Sequence, residues 1–529
     1  MLFKKENRVI IGHLIILVCS ALVIRTFAFT HTLMMNHDGP VYIHQARALY
    51  YGLWQAINTC SGVDYLTLYT MLIAAAYPLA GDWVHAAMAV NLIFGTLMII
   101  PLYLFLRRFL NEKTSFLTTF IFVMLPLFVV QSVNVIRDPS YWFFSVLGFY
   151  LLVYDDERGT PIVLILSSLS FMFATATRIE GIVFIIGGCI YTLIVFKGRR
   201  LKALLLFLSP MILAMSCFLV IQLIRHPESF YWYRLGDIQS VIMNAFEQHS
   251  NLRANLTPLV INPPPGIPKE FLVYSRTLLW FTALGVVLNS AMEAFFYPFF
   301  LLLLCGLGGL SERMRNDRRI LPLVMTAAIS FIVLYLYCLS SWSMENRRLV
   351  MVILPSTILV GFGIDKLTRW LHNKFGLSGF IGVVFICMLV LVLTLPKDLK
   401  VREADKLVYK EIGETIAHLD GGASEIEMIT LGDSWRWNDF YANLHVPGAP
   451  CPEKYNNWRN IIGISYDDFI RSMRMRKIRY IVWEEKQWPL DKFAFLNSLQ
   501  SADLIQLKEW KHKDTGRIIL FLVLNKKKN

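Results

Sequence analysis

The feature that most constrains this chain is a series of long apolar runs that recurs from residue 9 to residue 395. A bilayer core roughly 30 Å thick is crossed by about 20 apolar residues of helix. Within lipid only structures that satisfy their own backbone survive. The runs therefore predict a polytopic α-helical membrane body, and 56% hydrophobic composition agrees with it. A net charge of +13 would suit a nucleic-acid binder, but the basic residues sit in short loops between apolar runs, where they report topology. No nucleic-acid partner is expected. The first run carries Arg25 and lacks a small-residue cleavage site after it, so it reads as a retained helix.

Lys4, Lys5 and Arg8 place the N-terminus in the cytoplasm. The first span covers about 9–29, and an outer segment follows from 30 to 83. Its second half, 65–80, is apolar but short; as a surface or re-entrant helix it leaves Arg107, Arg108 and Lys113 inside. Further spans are expected at about 84–106, 114–133, 139–154, 160–176, 181–196, 203–224, 290–310, 320–340, 349–367 and 376–395. That makes eleven, within a range of 11–13 once the resemblance below is counted. A second long outer loop, 225–289, carries Phe230, Tyr231, Trp232 and Tyr233 and ends in a stretch expected along the membrane surface. Aromatics there suit sugar stacking, and they equally suit a membrane interface.

The first 396 residues thus read as a transmembrane catalytic domain, and 397–529 as an extracytoplasmic α/β domain. The latter holds 22 Lys+Arg against 19 Asp+Glu, with strands expected at 426–431, 479–483 and 517–524 and helices at 405–419 and 466–475. Six of the eight cysteines lie in apolar runs; Cys60 and Cys451 fall in outer segments, and their pairing is left open. No metal-ligand spacing is visible, and Gly306-Leu307-Gly308-Gly309 reads as helix packing, not a phosphate loop.

Charged residues at membrane depth are costly and commonly functional. Four outer corners hold them: Asn36-His37-Asp38-Gly39-Pro40, Ile136-Arg137-Asp138-Pro139, Thr177-Arg178-Ile179-Glu180-Gly181 and Met344-Glu345-Asn346-Arg347-Arg348. Each has a plain structural reading. Asp38 and Asp138 stand where a helix cap would, Arg178 and Glu180 could snorkel as a pair, and Arg347 and Arg348 could meet headgroups. Read together, they are expected to converge at the outer face and to suit group transfer. Carboxylates at Asp38 and Asp138 would activate and orient an acceptor. Arginines would hold a donor phosphate and stabilise its leaving charge. His37, Tyr42 and Arg47 follow or flank Asp38 and join Arg137, Arg178, Glu180, Glu345, Arg347 and Arg348 as expected substrate contacts.

In their order, these motifs resemble the GT-C superfamily of polyprenyl-phosphate-sugar-dependent glycosyltransferases. Within it they are most similar to the family 39 group of protein O-mannosyltransferases and lipid A aminoarabinose transferases. The resemblance rests on Asn36 to Tyr42, Arg137-Asp138-Pro139, Thr177 to Gly181, and Arg347-Arg348 ahead of Leu354-Pro355, and it spans nearly the whole chain. It implies inverting transfer of one sugar from a polyprenyl-phosphate donor, such as undecaprenyl phosphate, to a glycan, lipid or protein acceptor. The expected place is the periplasmic face of the inner membrane. It also implies Asp38 as the base, Asp138 as the second acid, and no required cofactor or divalent metal. Two departures bear on the acceptor: Gly39 stands where many relatives carry a second acid, and Asp64-Tyr65-Leu66-Thr67-Leu68-Tyr69 replaces a Pro-Pro-Leu-Tyr-like stretch. A transporter or lipid translocase using the carboxylates as ion sites is the alternative, and a partner-binding scaffold a third.

Overall fold

The computed structural model describes residues 2–57, 59–60, 66–154, 160–225, 233–377, 379–421, 424–446, 451–452, 454–462, 465–487 and 503–524. Its backbone is largely helical, with one small sheet near the C-terminus. The chain divides into two compact units that do not follow chain order. Unit 1 comprises 1–26, 92–132 and 137–399; unit 2 comprises 27–91, 133–136 and 400–529.

Unit 1 is a helical body. Among the described residues, six helices are long and apolar enough to cross a membrane, and four more apolar helices are shorter. Two expected spans are broken, for different reasons. The run expected at 114–133 divides into Glu112–Met124 and Pro126–Gln131, because Pro126 removes a backbone donor and favours an extended residue before it. The run expected at 290–310 is split at Phe296, whose φ of 57° ends one helix and admits Tyr297–Leu307 after it. The stretch expected along the surface becomes Lys269–Thr277 and Leu279–Ala294, bent by 77° from one another. Of the aromatic cluster, Phe230 to Trp232 lie outside the described residues.

Close helix approach relies on absent side chains. A Cβ on Gly306 would come within 1.9 Å of the Leu359 carbonyl oxygen, and one on Gly363 within 2.0 Å of that of Leu302. The glycine-rich run is therefore packing against the helix Val350–Phe375. Arg25 is fully buried in the first helix, Leu2–Thr30. It donates to Ser132 Oγ and to the Ala21 and Val123 carbonyls, an arrangement that replaces water for its polar head.

Unit 2 combines the first outer segment with the C-terminal domain. Among the described residues four strands form its sheet: β1 (Met428–Leu431), β2 (Tyr480–Glu484), β3 (Leu504–His512) and β4 (Gly516–Val523), in the order β1-β2-β4-β3. The β1–β2 pair is parallel and the others antiparallel. Helix Tyr466–Met475 buries Phe469 and Met473 against Ile429, Ile481, Trp483 and Phe521. Its start is set by the Ser465 hydroxyl, which accepts from Asp468 N. Sequence periodicity anticipates that helix and three of the strands, but not β3, where the pattern of burial along Leu504–His512 does not alternate.

Several bonds tie residues 27–91 to the C-terminal part. Leu33 N donates to Arg402 O and Arg402 N to His31 O. Trp437 Nε1 donates to Met35 O, and Arg47 reaches the Asn443 and Val446 carbonyls. Cys60 and Cys451 form a disulfide.

Candidate active site

Helix Gly39–Tyr50 fixes the first acidic corner. Pro40 suits its first turn, and Asp38 stands at the N-cap. The Asp38 side chain makes no capping hydrogen bond, so punctuation does not account for it. Its carboxylate is partly exposed, at 35%, and pairs with Arg436 Nη1 at 3.2 Å. The same nitrogen donates to His37 Nδ1 at 2.7 Å and to the His37 carbonyl at 3.3 Å. One guanidinium thus fixes both the acid and the ring beside it.

Arg436 is placed by the sheet. Between β1 and helix Trp435–Ala442 the chain turns through Gly432-Asp433-Ser434. The buried Glu484, at the end of β2, accepts from Asp433 N, Ser434 N and the Ser434 hydroxyl. A carboxylate at a helix start meets unpaired amides and the positive end of the helix dipole. Burial pushes the Glu484 carboxyl above its ordinary range. Trp435 and Trp437 flank the His37 ring edge-on, with centroids 5.6 and 5.1 Å away. Burial, and after it the Arg436 charge, pushes the His37 imidazole down to about 4. His37 is therefore a neutral acceptor near neutral pH, and it orients rather than carries charge.

The other residues of this corner face differently. Tyr42 is buried, with its ring edge-on to Tyr69 at 5.5 Å. Arg47 is 4% exposed and faces the carbonyls already described. Gly39 has a reason to lack a side chain: a Cβ there would meet Met35 Sδ at 3.0 Å and Val135 Cβ at 3.1 Å. A side chain at that position would require Met35 and Val135 to give way by a few tenths of an ångström.

Unit 1 holds the other three corners, and they join. Asp138 begins helix Asp138–Tyr154 and is 1% exposed. Its Oδ1 pairs with Arg178 Nη1 at 2.5 Å, while Oδ2 has no partner among the described residues. Arg178 is held by two carboxylates, since Nη2 also meets Glu180 Oε1 at 2.7 Å. Glu180 in turn meets Arg348 Nη1 at 3.3 Å. Arg348 and Arg347 both reach Glu345, at 3.5 and 2.8 Å. Arg348 lies over the Tyr337 ring at 4.3 Å, and the charge of Arg137 acts on Glu180.

The chain of alternating charge runs from a sealed end at Asp138 and Arg178 to an open one. There the side chains of Arg347, Arg348 and Glu345 are 21, 25 and 48% exposed. Three carboxylates balance three guanidinium groups in this row. The partly exposed arginines at its open end suit an oxyanion.

Arg436 is the residue sequence reasoning misses. The string Trp435-Arg436-Trp437 reads as soluble-domain surface, and nothing local points to a partner 398 positions earlier. Among the described residues one set of metal-type ligands gathers, Asp405, His512 and Asp514, with ligand atoms within 4.8 Å of one another. Both carboxylates are exposed, and the ring Nδ1 is engaged by Thr515.

Comparison with known proteins bears out the resemblance read from the motifs. The family model of dolichyl-phosphate-mannose-protein mannosyltransferases matches residues 67–223, a range that contains Arg137, Asp138, Arg178 and Glu180. Against curated protein sequences the chain finds no match. Among solved structures it is similar to ArnT from Cupriavidus metallidurans bound to undecaprenyl phosphate, with a TM-score of 0.57 at 12% identity over 97% of this chain and 98% of that one. The apo state of the same protein gives 0.55 at 13% identity, over the same shares of both chains. The Archaeoglobus fulgidus oligosaccharyltransferase, tethered with an acceptor peptide, gives 0.52 at 11% identity over 90% of this chain and 69% of that one. The fold is accordingly that of the GT-C membrane transferases, a multi-helix membrane body with a small C-terminal sheet domain.

Proposed function

We propose that the protein is an integral-membrane glycosyltransferase that moves one sugar from a polyprenyl-phosphate donor to an acceptor hydroxyl or amine, with inversion. The observation that carries this reading is the state of Asp38. Its carboxylate is free of any capping duty, partly exposed, and held by Arg436. That is the condition of a general base. The fold shared with a transferase solved with undecaprenyl phosphate supports a donor of that class.

In the proposed step the acceptor loses its proton to Asp38 as its oxygen or nitrogen attacks the anomeric carbon. The bond from that carbon to the phosphate oxygen breaks, and polyprenyl phosphate leaves with one more negative charge. A single displacement inverts the centre. Arg348 and Arg347, at the open end of the row, meet that charge. Asp138 and Glu180 hold Arg178 in place. Guanidinium groups supply the positive charge, so no divalent metal is required. The disulfide between Cys60 and Cys451 suits an oxidising compartment and supports the periplasmic side of the inner membrane for unit 2.

The test is transfer of radiolabelled sugar from a synthetic polyprenyl-phosphate donor by purified protein. Asp38→Asn should lower turnover by about 10²–10⁴-fold and leave donor binding unchanged. Ordinary turnover in that variant overturns the assignment of the base.

A further inference from the structure

Unit 2 contains a polar cavity whose lining does not include Asp38. It has a volume of about 110 Å³ and is bounded by Arg47, Tyr51, Tyr77, Gly81, Asp82, Trp83, Leu444 and His445. Arg47 is the unusual member. The residue as a whole is 4% exposed, and Nη2 donates to the Asn443 and Val446 carbonyls. A guanidinium has five N–H donors. The three on Nε and Nη1 find no hydrogen-bond partner among the described residues, and no carboxylate lies within ion-pair distance. Donors that face a small cavity are completed by water or by a ligand that enters it. Burial already pushes the group down to about 10.

The rest of the wall narrows the occupant. Asp82 is committed on one side, since Oδ1 accepts from His85 N at 2.8 Å and meets His85 Nδ1 at 2.7 Å. That bond starts the helix Trp83–Leu97. Its other oxygen remains to accept from a hydroxyl. Tyr77 is fixed by stacking on Trp83, with centroids 3.7 Å apart, and the hydroxyl groups of Tyr51 and Tyr77 lie near the cation and near one another. A water occupies about 30 Å³ of liquid, so the space takes three or four waters or one small charged group. A whole sugar does not fit.

We propose that this cavity is an oxyanion-binding site, taking a phosphate or carboxylate group carried by a hydroxyl-bearing molecule. Arg47 provides the charge, Tyr51 and Tyr77 the neutral donors, and Asp82 the contact to a neighbouring hydroxyl. This rests on the transferase reading only for its consequence, which is that the acceptor is negatively charged. Binding itself requires no transfer.

The experiment uses the full-length protein in detergent micelles and measures binding of inorganic phosphate, glucose 6-phosphate and glucose by titration calorimetry. Because a donor-phosphate site also binds phosphate, Arg47→Gln and Arg348→Gln are compared. Two classes of phosphate site are expected, one lost in Arg47→Gln and kept in Arg348→Gln. Glucose 6-phosphate should bind at the Arg47-dependent site at least 10-fold more tightly than glucose. Phosphate alone binding there, with glucose 6-phosphate excluded, overturns the assignment to a sugar-borne group. Unchanged phosphate and glucose 6-phosphate binding in Arg47→Gln overturns the site itself. Should that variant fail to fold, the double variant Tyr77→Phe with His445→Ala leaves the backbone tether intact. It should weaken glucose 6-phosphate binding several-fold, and wild-type affinity there overturns the proposal equally. Loss of transfer in all proteins, with Arg47-dependent binding retained, would count against the transferase reading alone.

Discussion

The two charged clusters solve opposite problems. In unit 1, Asp138, Arg178, Glu180, Arg348, Glu345 and Arg347 compensate one another in a row, from a sealed end to an open one. In unit 2, Asp38 pairs with Arg436 and keeps a third of its side chain exposed. A closed row favours holding a fixed geometry. A carboxylate left partly open is available to a substrate. Stability is thus expected to depend on the first cluster and turnover on the second, and substitutions can separate the two.

The largest expected effect is at Arg178. Removing one member of a buried pair leaves its partner charged and unpaired, at a cost of about 3–5 kcal/mol. Arg178→Gln should lower the thermal midpoint of the purified protein strongly, and adding Asp138→Asn and Glu180→Gln should restore part of it. A variant of ordinary stability would break the contrast. Next is Arg436→Gln. A hydrogen bond to a charged group contributes about 1.5–3 kcal/mol, so turnover should fall roughly 10–100-fold with little change in midpoint. A large loss of stability instead would make Arg436 a structural residue. Smaller again is Arg348→Gln at the open end, expected to weaken donor binding about 10-fold and to leave Asp38-dependent proton transfer unaltered.

The smallest effect concerns pH. The folded His37 is depressed to about 4, against about 6.5 for a free imidazole. Its contribution to stability is therefore complete above about 6.5 and is lost as pH falls toward 4. Thermal midpoints measured across that interval should fall by a few degrees more in the wild type than in His37→Asn. Identical acid profiles would show that His37 does not sense the environment described.

How far the sequence discloses this depends on the distance between partners. Arg178 and Glu180 are two residues apart, as are Glu345 and Arg347, so local strings already contain the ion pairs. That Glu180 links one string to Arg348 is not visible from spacing. The pairing of Asp38 with Arg436 is invisible in the same way, because it depends on β1, β2 and Glu484 setting a short helix. Helix breaks show the same division. Pro126 announces its own, and Pro298 marks the first turn of the helix after the second break, whereas the residue type at 296 does not announce its positive φ. The departure at Gly39 is legible as a difference, but only Met35 and Val135 explain it.

The cross-link between residues 60 and 451 has a topological consequence. Both sulfurs must emerge on one side of the bilayer, so the polypeptide between them traverses it an even number of times. Ten traverses are expected in that interval from the apolar runs. An eleventh, formed by Leu68–Ala80, would strand the two thiols on opposite faces. Parity alone thus keeps that short helix from being a complete passage whenever the other ten stand.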